Sequence, residues 1–207
     1  MLARHGIGQA TGRLVTDREG ASDAAQALDG PAVLKVQSPD ILHKTEAKGV
    51  MLNVSGADAA AAFDTLIASA GAYKAEADIK GVLVEPMAKG GVEMILGVQN
   101  DPTFGPMILV GMGGIFAEIM EDTVLTSPVA STDAALALIQ RLKGAPLLTG
   151  ARGRAPADID AVAALIVALS KFAVHHADAI AAIDLNPVIV HPAGDGVSVV
   201  DALIEPS

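Results

Sequence analysis

Residues 182–190 read Ala-Ile-Asp184-Leu-Asn186-Pro187-Val-Ile-Val190, an apolar run broken by two oxygen-bearing side chains. In a β-strand, side chains two apart leave the same face, so Asp184 and Asn186 project together. A second apolar segment, Gly196–Leu203, follows the polar turn His191–Asp195 and predicts a hairpin partner that brings Asp201 toward its end. Carboxylate and amide oxygens from adjacent strands, completed by phosphate oxygens of a ligand, are the hard donors that Mg²⁺ takes. The plain alternative is an Asn-Pro turn and an aspartate ending a strand. The apolar flanks weigh against it, because polar groups facing inward need a ligand or partner to offset desolvation.

Working outward, strand-like and helix-like segments alternate along all 207 residues, which reads as α/β or α+β. Strands are expected at Arg13–Val15, Ala32–Val36, Val50–Val54, Gly81–Val84, Val92–Val98 and Met107–Val110, with Pro86 ending the fourth. Helices are expected at Glu19–Leu28, Asp58–Lys74 (with Ser55 and Asp58 as caps), Ser131–Leu142 and Pro156–His175, the last with Pro156 in its first turn. The seam is Glu85–Gly91, where a strand meets Pro86 and two glycines follow. A hinge there divides the chain into lobes 1–85 and 86–207.

Several residues interrupt this pattern in ways that invite chemistry. Lys35 sits inside Ala-Val-Leu-Lys-Val, either as an edge-strand lysine reaching solvent or as a point charge for a phosphate. His43 and Lys44 follow the turn Ser38-Pro-Asp40. A loop histidine is commonly just solvated, but beside a phosphate site a neutral imidazole is a competent phosphoryl acceptor. Glu85 and Glu93 each break an apolar strand on either side of the seam, suiting the base and ribose edge of a nucleotide. Gly111-Met-Gly113-Gly114 fails as a dinucleotide fingerprint because the third glycine position is Phe116. A glycine turn giving a ligand access to the backbone fits better. No phosphate-loop motif of the G-x-x-x-x-G-K-[ST] type is present.

Composition narrows the classes. With 51% hydrophobic residues the chain can build a core, and no apolar run reaches the roughly 18 residues a membrane span needs. Lys and Arg number 14 against 24 Asp and Glu, net −10, and aromatics are 2%, so neither a phosphate-neutralising basic patch nor a base-stacking platform for nucleic acid is expected. The absence of cysteine excludes disulfides, thiolate metal sites and cysteine catalysis. A polar start, Met-Leu-Ala-Arg-His-Gly, carries no secretory signal, and a cytoplasmic protein is expected.

Taken in order, Lys35, Ser38–Lys44, Leu83–Met87, Gly91–Gly97, Gly111–Glu118, Leu148–Gly153 and Asp184–Pro187 resemble the ATP-grasp domain of ADP-forming acyl-CoA synthetases (acetate–CoA ligases), relatives of the succinyl-CoA synthetase β subunit. The resemblance begins at Leu2-Ala-Arg-His-Gly-Ile7 and covers nearly the whole chain. It implies an α+β ATP-grasp fold of two α/β lobes with ATP between them. Lys35 would contact phosphates, Glu85, Pro86 and Met87 would form the hinge against adenine, and Glu93 would hold the ribose. Gly113, Gly114 and Arg152 would complete the ATP-binding set. Asp184, Asn186 and Asp201 would hold Mg²⁺, and His43 would take the phosphoryl group from ATP and relay it.

The CoA-binding α-type part, with the acyl site and the other relay histidine, would be a separate subunit or domain. That would make the chain one member of a hetero-oligomer or a fragment of a fused synthetase. Departures from the family pattern fall at Gly8, Lys48, Ala151 and the shortened stretch Asp122–Pro128, for which Arg152 and Arg154 are the candidate compensating cations. The competing reading is a non-catalytic nucleotide-sensing module like those fused in protein acetyltransferases.

Overall fold

The computed structural model of the chain describes residues 2–8, 11–114, 121–153 and 155–207. Contacts divide it into two units, Ala10–Met87 and Met1–Gln9 with Ala88–Ser207. The opening residues, counted with 1–85 in the sequence reading, group with the later unit because Leu2 and Ile7 are buried in its core.

The first unit comprises β1 (Arg13–Val15), α1 (Arg18–Gln26), β2 (Ala32–Gln37), β3 (Val50–Val54), α2 (Ala59–Tyr73) and β4 (Gly81–Pro86). Its sheet runs β1-β4-β2-β3, antiparallel throughout. Alternation along β2 sends Ala32 and Leu34 into a core with Phe63 and Leu66 of α2, while Val33 and Lys35 take the opposite face. Burying each large apolar side chain contributes roughly 1.5–3 kcal/mol, and the alanines of α1 and α2 let the helices lie close to the sheet. The N–H of Gly20 donates to the Asp17 carboxylate at 2.7 Å and caps α1. Asp58 holds the N-cap position of α2 without capping it; its carboxylate accepts instead from the Ser55 hydroxyl at 2.6 Å.

Pro86 does not stop β4 at Val84 as expected. The strand continues through Pro86, which pairs with Ala32. By that point β1 has ended, so the missing N–H breaks no ladder bond, and the Met87 N–H donates to the Pro31 carbonyl at 3.0 Å.

The second unit carries β5 (Val92–Asp101), β6 (Gly105–Met112), β7 (Thr123–Thr126), α3 (Thr132–Ile139), α4 (Ala145–Leu148), α5 (Ile159–His175), β8 (Ile180–Val190), β9 (Val197–Val199) and β10 (Ala202–Pro206). Its sheet runs β10-β8-β5-β6-β7, with β9 also paired to β8. One face packs on α5 through Met94, Leu96, Ile108, Val110, Leu185 and Val188, and α3 packs on α5. The β5–β8 register shifts between Met94 and Leu96, where β8 accommodates an extra residue. Buried positions on β8 are 180, 183 and 185 before the bulge and 188 to 190 after it, and the bulge falls at Asn186-Pro187.

Two sequence readings are corrected here. The last long helix begins at Ile159 rather than Pro156, because Asp158 is its N-cap: the Ala161 N–H donates to the Asp158 carboxylate at 3.0 Å. The strand returning from the His191–Asp195 turn is two strands, β9 and β10, interrupted at Val200-Asp201. Strand β7 lies inside the shortened Asp122–Pro128 stretch. Just before it, the buried Asp122 carboxylate accepts the N–H groups of Lys143 at 2.8 Å and Gly144 at 2.7 Å. Among the described residues no helix is long and apolar enough to cross a membrane.

Candidate functional site

Each sheet has helices on one face and candidate site residues on the other. In the first unit β2 lies between β4 and β3, so Lys35 is on an interior strand and not an edge one. It is 4% exposed, which replaces the snorkelling expectation. Its Nζ lies 2.7 Å from Glu85 Oε2. The two are diagonal neighbours, Lys35 opposite Leu83 and Glu85 opposite Val33. Gly12 passes over this face, where a Cβ would stand 2.6 Å from Glu85 Cγ and 2.7 Å from Leu83 Cδ1. The closeness of Gly12 has no signal in its own sequence neighbourhood.

His43 lies exposed on the loop between β2 and β3. Buried Ile41 and Ala47 anchor that loop against Val36 and Ala70, with His43 between the two anchors. The Gly49 N–H donates to the Lys44 carbonyl at 2.7 Å, and a Cβ on Gly49 would meet Val36 Cγ1 at 2.5 Å, so the loop closes on a glycine. Asp40 pins its start: the Asp78 N–H donates to the Asp40 carboxylate at 2.7 Å, and Lys74 lies 3.5 Å away. The Asp78 N–H, helped by the Lys74 charge, holds the Asp40 carboxyl below the usual carboxylate range.

In the second unit Glu93 is exposed on β5 and adjoins the glycine turn that ends β6. The Gly113 N–H donates to the Glu93 carbonyl at 2.7 Å. A Cβ on Gly113 would meet Glu93 backbone carbon at 3.0 Å, and one on Gly114 would meet Glu93 Oε2 at 2.9 Å. Gly114 also adopts φ +63°. Glu93, Gly113 and Gly114 thus form one group: the Glu93 backbone crowds Gly113, while Gly114 combines a positive φ with the nearby carboxylate.

Asp184 and Asn186 are both exposed while Leu185 between them is fully buried, so they share the face away from α5. The Asn186 N–H donates to the Asp201 carbonyl at 3.2 Å, which sets Asp201 beside Asn186 in the break between β9 and β10. Gly97 lies opposite Asp184 on β5 and puts no side chain beside it. All three side chains offer hard oxygens and together fall short of six donors, a set suited to Mg²⁺ that also takes phosphate oxygens and water. Among the described residues no cluster of three or more His, Cys, Asp or Glu could hold a metal unaided.

Arg152 lies in the short 3-10 turn Ala151–Gly153. Phe116, with the rest of the Gly111–Glu118 block beyond Gly114, and Arg154 lie outside the described residues.

An α+β chain of two helix-backed antiparallel sheets, with Lys35, Glu85, Glu93, Asp184 and Asn186 on the faces the helices leave uncovered, has the ATP-grasp fold. The chain belongs to the ATP-grasp domain family, whose pattern matches residues 1–205. It is 40% identical over 206 residues to the β subunit of acetate–CoA ligase (ADP-forming) II from Pyrococcus furiosus, covering 99% of this chain and 87% of that one. A dinucleotide-forming acetyl-coenzyme A synthetase from Ca. Korarchaeum cryptofilum, solved with coenzyme A and Ca-AMPCP, superimposes with a TM-score of 0.92 at 35% identity, covering 100% of this chain and 89% of that chain. The same enzyme with Mg-AMPPCP, its phosphohistidine segment pointing towards the nucleotide-binding site, gives 0.82 at 33% identity, covering 100% and 88%. Trans-feruloyl-CoA synthase from an unknown prokaryotic organism is 40% identical over 205 residues, but this chain, 99% covered, spans only 29% of its length.

Proposed function

We propose that this chain is the nucleotide-binding, phosphoryl-transferring part of an ADP-forming acyl-CoA synthetase, which converts acid, CoA and ATP to acyl-CoA, ADP and phosphate. What supports the proposal is that one unit carries a buried strand lysine, Lys35, and the other a hard-oxygen set, Asp184, Asn186 and Asp201, in a chain that matches a ligase β subunit over nearly its full length. Relatives named as ligases support this reading over a non-catalytic sensing module.

Phosphoryl transfer depends on positioning and charge neutralisation more than on covalent machinery. Lys35 supplies a fixed positive charge for the phosphates, and Glu93 with Gly113 and Gly114 supplies a carboxylate beside open backbone for the sugar edge. Asp184, Asn186 and Asp201 would hold Mg²⁺, which when bound neutralises triphosphate charge and orients it. His43, exposed on a loop pinned at both ends, presents an imidazole nitrogen to the γ-phosphorus. The N–P bond forms as the bond to the ADP oxygen breaks, and the imidazole proton passes to water. The CoA-binding subunit or domain then receives the phosphoryl group, in the cytoplasm where ATP and CoA occur together.

The test is incubation with γ-labelled ATP and Mg²⁺, with and without the CoA-binding partner. Acid-labile, base-stable label on the wild type and none on His43→Ala is expected. Equal labelling of both proteins would remove His43 from the relay, and nucleotide binding without any label would favour a sensor.

A further inference from the structure

We infer that Glu85 is a positioning residue for Lys35, holding its ammonium for the triphosphate, rather than a contact for the purine. The inference rests on the nucleotide reading above and deepens it. Lys35 Nζ and Glu85 Oε2 are 2.7 Å apart, with side chains only 6% and 8% exposed. Both lie on the sheet face that the helices leave uncovered, on adjacent strands in diagonal register. Gly12 comes so near Glu85 Cγ that a side chain there would collide with it, so the stem of Glu85 is hemmed in on that side.

A lysine that serves phosphate must point one way before the ligand arrives, and its flexible four-carbon stem does not hold one direction unaided. Glu85 supplies that hold from the strand next door, and its Oε2 is already committed to Lys35. Preorganisation of this kind acts through the lysine, so its signature follows the phosphates of the ligand and not its base.

Two measurements on the full chain test this. In titrations with Mg²⁺ present, Glu85→Gln is expected to weaken ATP and ADP roughly tenfold or more, while adenosine, followed by ligand-observed NMR, binds as to the wild type. Glu85→Asp, which keeps the charge, should recover part of the loss, and Lys35→Met should add little to Glu85→Gln. Equal losses for ATP and adenosine overturn the inference in favour of a purine contact. Lower thermal stability with unchanged ATP affinity overturns it in favour of a structural pair. Failure of the wild type to bind ATP would remove the nucleotide reading itself and this inference with it.

The second measurement needs no ligand. The ¹⁵N signal of the Lys35 ammonium should be protected from solvent exchange in the wild type and lost in Glu85→Gln. A wild-type ammonium that exchanges as freely as the surface lysines overturns the positioning role even if ATP binds.

Discussion

Asn186 and Asp201 are joined through their backbones, the Asn186 N–H donating to the Asp201 carbonyl at 3.2 Å, and next to them the Val200 N–H donates to the Pro187 carbonyl at 3.0 Å. These two bonds bridge the interruption between β9 and β10, so the oxygen donors are held by strands on both sides. Asp201→Ala should therefore leave the fold intact and weaken Mg²⁺-dependent nucleotide binding by roughly tenfold or more, about 1.4 kcal/mol per factor of ten. Calorimetric titration with and without Mg²⁺ measures this. A loss of the same size without the metal would exclude Asp201 as a ligand.

Gly91 is a place where an added methyl has nowhere to go, and Gly113 is one where it fits only if Glu93 gives way by a few tenths of an ångström. A Cβ on Gly91 would stand 2.4 Å from the Val190 carbonyl oxygen and 2.7 Å from Ile189 Cγ2; one on Gly113 would meet Glu93 backbone and Cβ atoms at 3.0 Å. Gly91→Ala is expected to cost about 1–3 kcal/mol in urea unfolding, more than Gly113→Ala. Gly90→Ala, with open space around it, should cost much less. Equal costs at Gly90 and Gly91 would refute the packing account.

Asp158 ties three backbone groups together: besides Ala161 in the first turn of α5, the N–H groups of Gly194 and Gly196 donate to it at 2.9 and 3.0 Å. The Ala161 and Gly196 bonds, then the Gly194 bond, hold its carboxyl below the usual range. A carboxyl depressed on folding stabilises the native state above its unfolded value, near 3.9, and that stability is lost as pH falls through the lower folded value. Asp158→Ala should cost about 1–2 kcal/mol at neutral pH. Its stability should also change less than the wild type's across the acid limb, as read by thermal unfolding against pH.

Three histidines meet where the 3-10 turn Leu2–His5 packs on α5. The His5 ring stands edge-on to Phe172 at 5.0 Å and lies 5.4 Å from His176, which is 4.6 Å from His175. His176 Nε2 is buried with no hydrogen-bond partner among the described residues. Desolvation, then the neighbouring His175 and His5, pushes the His176 pKa down. Folding therefore favours the neutral imidazole, and stability is lost as pH falls below the unfolded value of about 6.5. His176→Phe should flatten the stability difference between about pH 7.5 and about pH 5.5. An unchanged difference would show that this cluster does not titrate with folding.

Local pattern carried much of this protein. Period-two alternation places Asp184 and Asn186 on one face of β8, and helical spacing with an alanine-rich face locates α2, because both depend only on neighbours along the chain. The ordered blocks from Lys35 to Pro187 carried the ATP-grasp family for the same reason: each is a contiguous motif.

Sheet order is different, since it is decided by pairings between segments far apart in sequence. The insertion of β4 between β1 and β2 places Lys35 on an interior strand facing Glu85, and it allows Pro86 to finish a strand it was expected to stop short. The division of the closing strand at Val200-Asp201, the glycine demanded at position 91 and the meeting of His5 with His176 arise the same way. Sequence alone thus determined which residue types could serve phosphate and cation. Tertiary packing decided which of them became partners, because a close contact between distant strands depends on the surface each presents once folded.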